Sequence, residues 1–99
     1  MNNITKVSQI TASDVWEYLH PSESLDADNT ATINTLIGIA KAFIQNYTGR
    51  EDLDGFQDFV IVVLVLCQDM WDNRTYYVDK QELNFVVKSI LDLHSVNLL

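Results

Sequence analysis

The sequence predicts an all-α domain, a small bundle of about four helices with a short extended segment between the third and fourth. Three observations predict it. Through the middle of the chain, apolar residues recur at three- and four-residue steps, the spacing of one helix face. Breakers are few, and Pro21, Gly49 and Gly55 fall between the apolar stretches rather than inside them. At 99 residues and 47% hydrophobic, the chain has the length and composition of one globular unit with a single modest core, so residues 1–99 read as one domain.

Residues 1–10 carry no clear periodicity and read as a short lead-in arm. In "TASDVWEYLHP" Thr11 can cap a first helix, and Asp14, three residues on, can bond back to complete a capping box. Val15 and Leu19 then share a face, and Pro21 ends the helix near His20. After the polar connector "SESLDAD", a second helix is marked by Ile33, Leu36, Ile37, Ala40, Ile44 and Tyr47 on one stripe. Asp26 or Asp28 can cap its start, and Gly49 suits a left-handed end. Ile39 and Phe43 flank the stripe, so this helix touches two neighbours.

"FQDFVIVVLVLCQDMWDN" holds a β-branched apolar run that also suits a buried strand, but some eighteen residues are long for a strand. Wound at 100° per residue, Phe56, Phe59, Val60, Val63, Leu64, Cys67, Met70 and Trp71 gather on one side of a helix. Asp58, Asp69 and Asp72 gather on the other. Ile61 and Val65 fall in the middle of that acidic side, so the centre of this helix is apolar all round and calls for cover from several directions. "RTYYVDKQ" reads as the short extended or turn segment. The last helix, roughly "ELNFVVKSILDLHS", puts Leu83, Val86, Ile90 and Leu93 on one stripe. Phe85, Val87 and Leu91 lie away from it, which is more apolar surface than one contact face requires. "VNLL" then ends the sequence with apolar side chains.

Fourteen acids against six scattered bases give a net charge of −8, which disfavours gripping a nucleic-acid backbone. The start, "MNNITKVSQI", shows no secretion signal. The longest apolar run, nine residues, is about half of what a membrane-spanning helix needs. His20 and His94 stand apart from any metal-ligand spacing and suit helix ends. Asp69 and Asp72 read as exposed acids, and Cys67 as a buried small hydrophobe with no base to make it a thiolate. No phosphate loop or catalytic triad is present in the pattern. The expectation is therefore a non-enzymatic interaction module without metal or cofactor.

The densest cluster of contact-forming types is "LCQDMWDNRTYYV". Trp71 prolongs the apolar side of the third helix, and Asn73 can take a left-handed conformation to end it. Arg74 can reach last-turn carbonyls or an acid. Tyr76 and Tyr77 either cover the end of the core or join Trp71 and Arg74 in a contact patch, since these types are enriched at interface hot spots. The residues expected at a subunit or partner interface are Ile61, Val65, Trp71, Asn73, Arg74, Tyr76 and Tyr77, with Leu91, Val96, Leu98 and Leu99 at the far end.

The order of these parts resembles the small head–tail connector proteins of long-tailed bacteriophages and prophages, also called head-completion or DNA-packaging adaptor proteins. The resemblance rests on "ITASDVWEYLHP", on "LIGIAKAFIQNYTGR" with its aromatic–Thr–Gly turn, on "VIVVLVLCQDMWDNR", and on the tail "VVKSILDLHSVNLL". It implies an all-α subunit of a ring, commonly of twelve copies, seated between the portal protein and a tail or head-completion protein at the virion's head–tail interface. Such a ring retains packaged DNA and lets it pass without sequence-specific binding. The subunit would be made in the bacterial cytoplasm and needs no membrane. A ring subunit requires two different apolar side faces, which suits the surplus on the third and fourth helices. An acidic phage-encoded regulator or DNA mimic that binds a host enzyme is the alternative that the charge suggests.

Overall fold

The computed structural model describes residues 4–19 and 21–96. They form four α-helices, α1 (Ala12–Leu19), α2 (Ala27–Thr48), α3 (Phe59–Asn73) and α4 (Phe85–His94), with 3-10 turns at Val7–Gln9 and Lys80–Glu82. No strand occurs among the described residues, and the all-α bundle stands as the sequence predicts.

The helix ends follow from local chemistry. Thr11 donates its backbone N–H and its hydroxyl to the Asp14 carboxylate (both 2.8 Å), and Asp14 N–H returns to Thr11 Oγ1 at 3.3 Å. This is the capping box. Asp26, not Asp28, caps α2 by accepting from Asn29 N–H at 2.7 Å. Gly49 ends that helix in the left-handed region with φ 74°, where the absence of a Cβ removes the steric cost. Residues 56–58 form a turn in which Phe56 O accepts from Phe59 N–H, so α3 begins three residues later than the apolar pattern suggested. At its far end the left-handed residue is Arg74 (φ 55°), one place after the expected Asn73. Thr75 N–H reaches Met70 O and Arg74 N–H reaches Trp71 O, a Schellman closure. Asn73 stays helical and donates its side-chain amide to Asp69 O at 2.9 Å. Asn84 caps α4, with its side-chain oxygen accepting from Val86 N–H at 2.8 Å.

α3 is the centre of the fold. Phe59, Val62, Val63, Leu64, Leu66 and Cys67 are all at most 1% exposed. Cover comes from the chain itself: α1, α2, α4 and the Val7–Gln9 turn all pack on α3. α2 runs antiparallel to α3, with Thr32 and Leu36 near its start beside Met70 and Trp71 at the end of α3. α1 and α4 each pack on both α2 and α3 and make no contact with each other. α2 therefore has three helical neighbours, one more than its flanking residues suggested.

The lead-in arm is not a free arm from Ile4 onward. Val7 (2% exposed) and Ile10 (6%) enter the core, and Ser8 donates its N–H and hydroxyl to Asp54 at 2.9 and 2.6 Å. A 3-10 turn brings residues three apart onto one side, which is why a segment without helical periodicity packs two apolar residues together.

Candidate interaction surface

The phase of α4 is the main correction to the sequence reading. Val87 and Leu91, placed outside the stripe, are the residues that enter the core, at 2% and 0% exposure. Leu91, expected at an interface, is a core residue covered by its own chain. Val86 and Leu93, placed on the inward stripe, face out at 61% and 75%, and Phe85 is 83% exposed. Phe85, Val86 and Leu93 are the surface residues that the sequence did not single out as a site. The signal for them was the second apolar arc of this helix.

The contact patch expected after α3 divides in two. Trp71, Arg74 and Tyr76 line a cavity of about 50 Å³ with Thr32, Leu36, Met70 and Thr75. There the Trp71 ring stands edge-on to Trp16 at 5.5 Å, and the Arg74 guanidinium lies 4.6 Å above Trp71. Arg74 thus covers an aromatic face instead of binding an acid. Asn73 and Tyr77 line a separate groove of about 400 Å³ whose apolar wall is Leu66, Met70, Val78 and Leu83 and whose charges are Asp69, Asp79 and Glu82. Tyr76 and Tyr77 remain solvent-facing at 60% and 63%. Ile61 is 39% exposed and Val65 half-buried, on the flank of α3 that also carries Asp72.

At the other end, Val96 is half-exposed and donates its N–H to Thr48 O at 2.7 Å. Sixteen residues of α2 separate Thr48 from Thr32, about 24 Å of helix, so Val96 and the Trp71–Arg74–Tyr76 cavity belong to opposite ends of the molecule. Leu98, Leu99 and His20 lie outside the described residues.

Three polar contacts fix how α4 is held. His94 Nε2 lies 2.8 Å from Asp58 Oδ2, and its ring stacks on Phe56 at 4.0 Å. Arg50 Nε donates to His94 O at 2.6 Å while its guanidinium lies 4.6 Å over Phe56. Tyr47 donates its hydroxyl to Asp92, which also pairs with Lys88 at 2.7 Å. The hydrogen bond to Asp92, helped by partial burial, pushes the Tyr47 phenol above its ordinary range. The Lys88 and Tyr47 bonds hold the Asp92 carboxyl below its own. With α4 pinned in this way, its outward arc is a fixed feature of the surface.

Little here supports catalysis. Burial pushes the Cys67 thiol up to about 12, so it carries no thiolate at neutral pH. Partial desolvation, and then the neighbouring Asp72, raise the Asp69 carboxyl. No group of three His, Cys, Asp or Glu side chains among the described residues could hold a metal ion. No helix of these residues is long and apolar enough to cross a membrane. What the arrangement offers is contact: an outward apolar arc on α4 and a separate acidic groove. Comparison with known proteins returns no matching family model, no similar curated protein and no similar solved structure.

Proposed function

We propose that this chain is a non-catalytic structural subunit, a ring adaptor between the portal vertex of a phage head and the tail or next head-completion protein. One observation carries the reading. Phe85, Val86 and Leu93 stand out from a helix that is pinned at its end and already committed to the core through Val87 and Leu91. An apolar arc held outward in this way suits a contact with another chain. The half-exposed Ile61 and its neighbour Val65 supply a second, smaller apolar strip, as a head-to-tail ring requires. The resemblance of the ordered motifs to head–tail connectors turns "a contact" into this particular one. In such a setting the net charge of −8 lets DNA slide past carboxylates without being gripped. The virion's head–tail interface, and the host cytoplasm during assembly, are the locations that go with the role.

Co-purification tests it. The tagged protein should bring down a portal ring or assembled capsids, and a Leu93→Asp variant should bring down less. Recovery of a nucleic-acid enzyme with no portal would overturn it. That outcome belongs to the second reading, an acidic regulator or DNA mimic that binds a host enzyme. The groove favours that reading, since Asp69, Asp79 and Glu82 surround it with no Lys or Arg among its lining residues.

A further inference from the structure

We propose that two free copies of this chain pair through the outer face of α4, antiparallel and about a two-fold axis at Ser89. Phe85, Ser89 and Leu93 are four residues apart, so their side chains form one ridge along the helix. Ser89, exposed and small, sits at the centre, with a large apolar residue one turn to either side. A two-fold axis through it lays Phe85 of each copy against Leu93 of the other and lets the helices approach closely at the serine. Val86, seven residues before Leu93, widens the same face.

The occupant is a second copy for two reasons. Exposed large apolar residues are concentrated here: of the seven among the described residues, Phe85, Val86, Leu93 and Val96 lie on α4 or just after it. A head-to-tail contact needs a second patch of similar size, and the largest aliphatic exposure elsewhere is Ile61 at 39%. One dominant patch can satisfy itself only isologously. Charge points the same way. Copies of a protein at −8 repel each other, but the ionised groups of α4 beside this ridge, Lys88 and Asp92, are paired at 2.7 Å and sum to zero.

The size sets the strength. Phe85, Val86 and Leu93 expose about 400 Å² per copy on typical side-chain areas, about half of one partner's share in a standard stable interface. The pair is therefore transient and concentration-dependent. A two-fold pair cannot be a contact within a polar ring, so it belongs to the unassembled subunit and is independent of the connector reading. Binding at a vertex displaces it.

Sedimentation velocity from about 1 μM to about 1 mM covers the affinities such an area supports. The expected result is a shift from monomer to dimer for the wild-type chain. Phe85→Asp and Leu93→Asp should each weaken the dimer at least about tenfold, with helical circular dichroism unchanged. Serine replacements at the two positions repeat the test if the acidic ones lose helix. Helices 8–10 Å apart place the facing Ser89 Cα atoms about 3.5–5.5 Å apart, within disulfide range. Ser89→Cys should therefore oxidise to a covalent dimer, while wild type, with only buried Cys67, should not. A monomer at the highest concentration overturns the proposal. So does a dimer that survives both substitutions, or one that they abolish but Ser89→Cys does not cross-link.

Discussion

Replacing Leu91 with alanine should cost far more stability than the same change at Leu93, two residues along the same helix. Leu91 is fully buried between α4 and its neighbours, whereas Leu93 is 75% exposed. Truncating a buried leucine removes the transfer energy of its methyl groups and leaves a cavity that the packed surroundings fill only in part, a cost of about 2–5 kcal/mol. Leu93 already spends most of its surface in water, so its truncation should stay within roughly 0.5 kcal/mol. For a domain of this size each kcal/mol moves the melting temperature about 4–8 °C, so a loss of about 3 kcal/mol at Leu91 lowers Tm by roughly 12–24 °C. That is a large part of the ~5–15 kcal/mol by which such domains are stable. Thermal unfolding followed by circular dichroism at 222 nm reads both variants directly. Equal losses at the two positions, or a larger loss at Leu93, would refute the phase of α4 and with it every inference drawn from the outward arc.

Three further outcomes follow from local contacts. Thr11→Ala removes the hydroxyl that accepts from Asp14 N–H and should cost about 1 kcal/mol in denaturant unfolding; an unchanged midpoint would mean that Asp14 alone holds the helix start. Cys67 should resist a thiol reagent at pH 8 in the folded protein and react within the time of unfolding, since its thiol is buried and raised to about 12; rapid labelling of the native chain would contradict that burial. Asp69 has a folded pKa above its unfolded value, so its ionised form opposes folding at neutral pH and the opposition fades as pH falls through the raised value. Asp69→Asn should therefore raise Tm at pH 7, with the gain disappearing by about pH 3, below the unfolded value; a gain that persisted there would assign the effect to something other than charge.

Much of the fold was legible because its signals were local. Thr11 with Asp14, Asp26 and Gly49 mark helix ends through bonds or dihedrals within four residues, and the single apolar stripe of α2 left one choice of inward face. α4 left two. Leu83, Val86, Ile90 and Leu93 form one arc and Val87 with Leu91 another, so periodicity identifies the helix without saying which arc is covered. The choice is made by long-range contacts, Asp58 to His94 and Thr48 O to Val96 N–H, that no pattern along the chain reports. The candidate surface suffered for the same reason. Trp71, Asn73, Arg74, Tyr76 and Tyr77 are close in sequence, yet the left-handed turn at Arg74 sends Tyr76 toward α2 and Tyr77 into the acidic groove. Ile61 and Val65 were identified correctly as apolar positions on an otherwise acidic flank. Their partial exposure reflects how far α1 and α4 reach around α3.

A reconstruction of the head–tail vertex from particles carrying this chain is the most direct test that the outward arc of α4 is an assembly contact. The expected density places Phe85, Val86 and Leu93 against a neighbouring chain, with those side chains fully covered. A vertex that lacks the protein, or that leaves this face of α4 open to solvent, would contradict it.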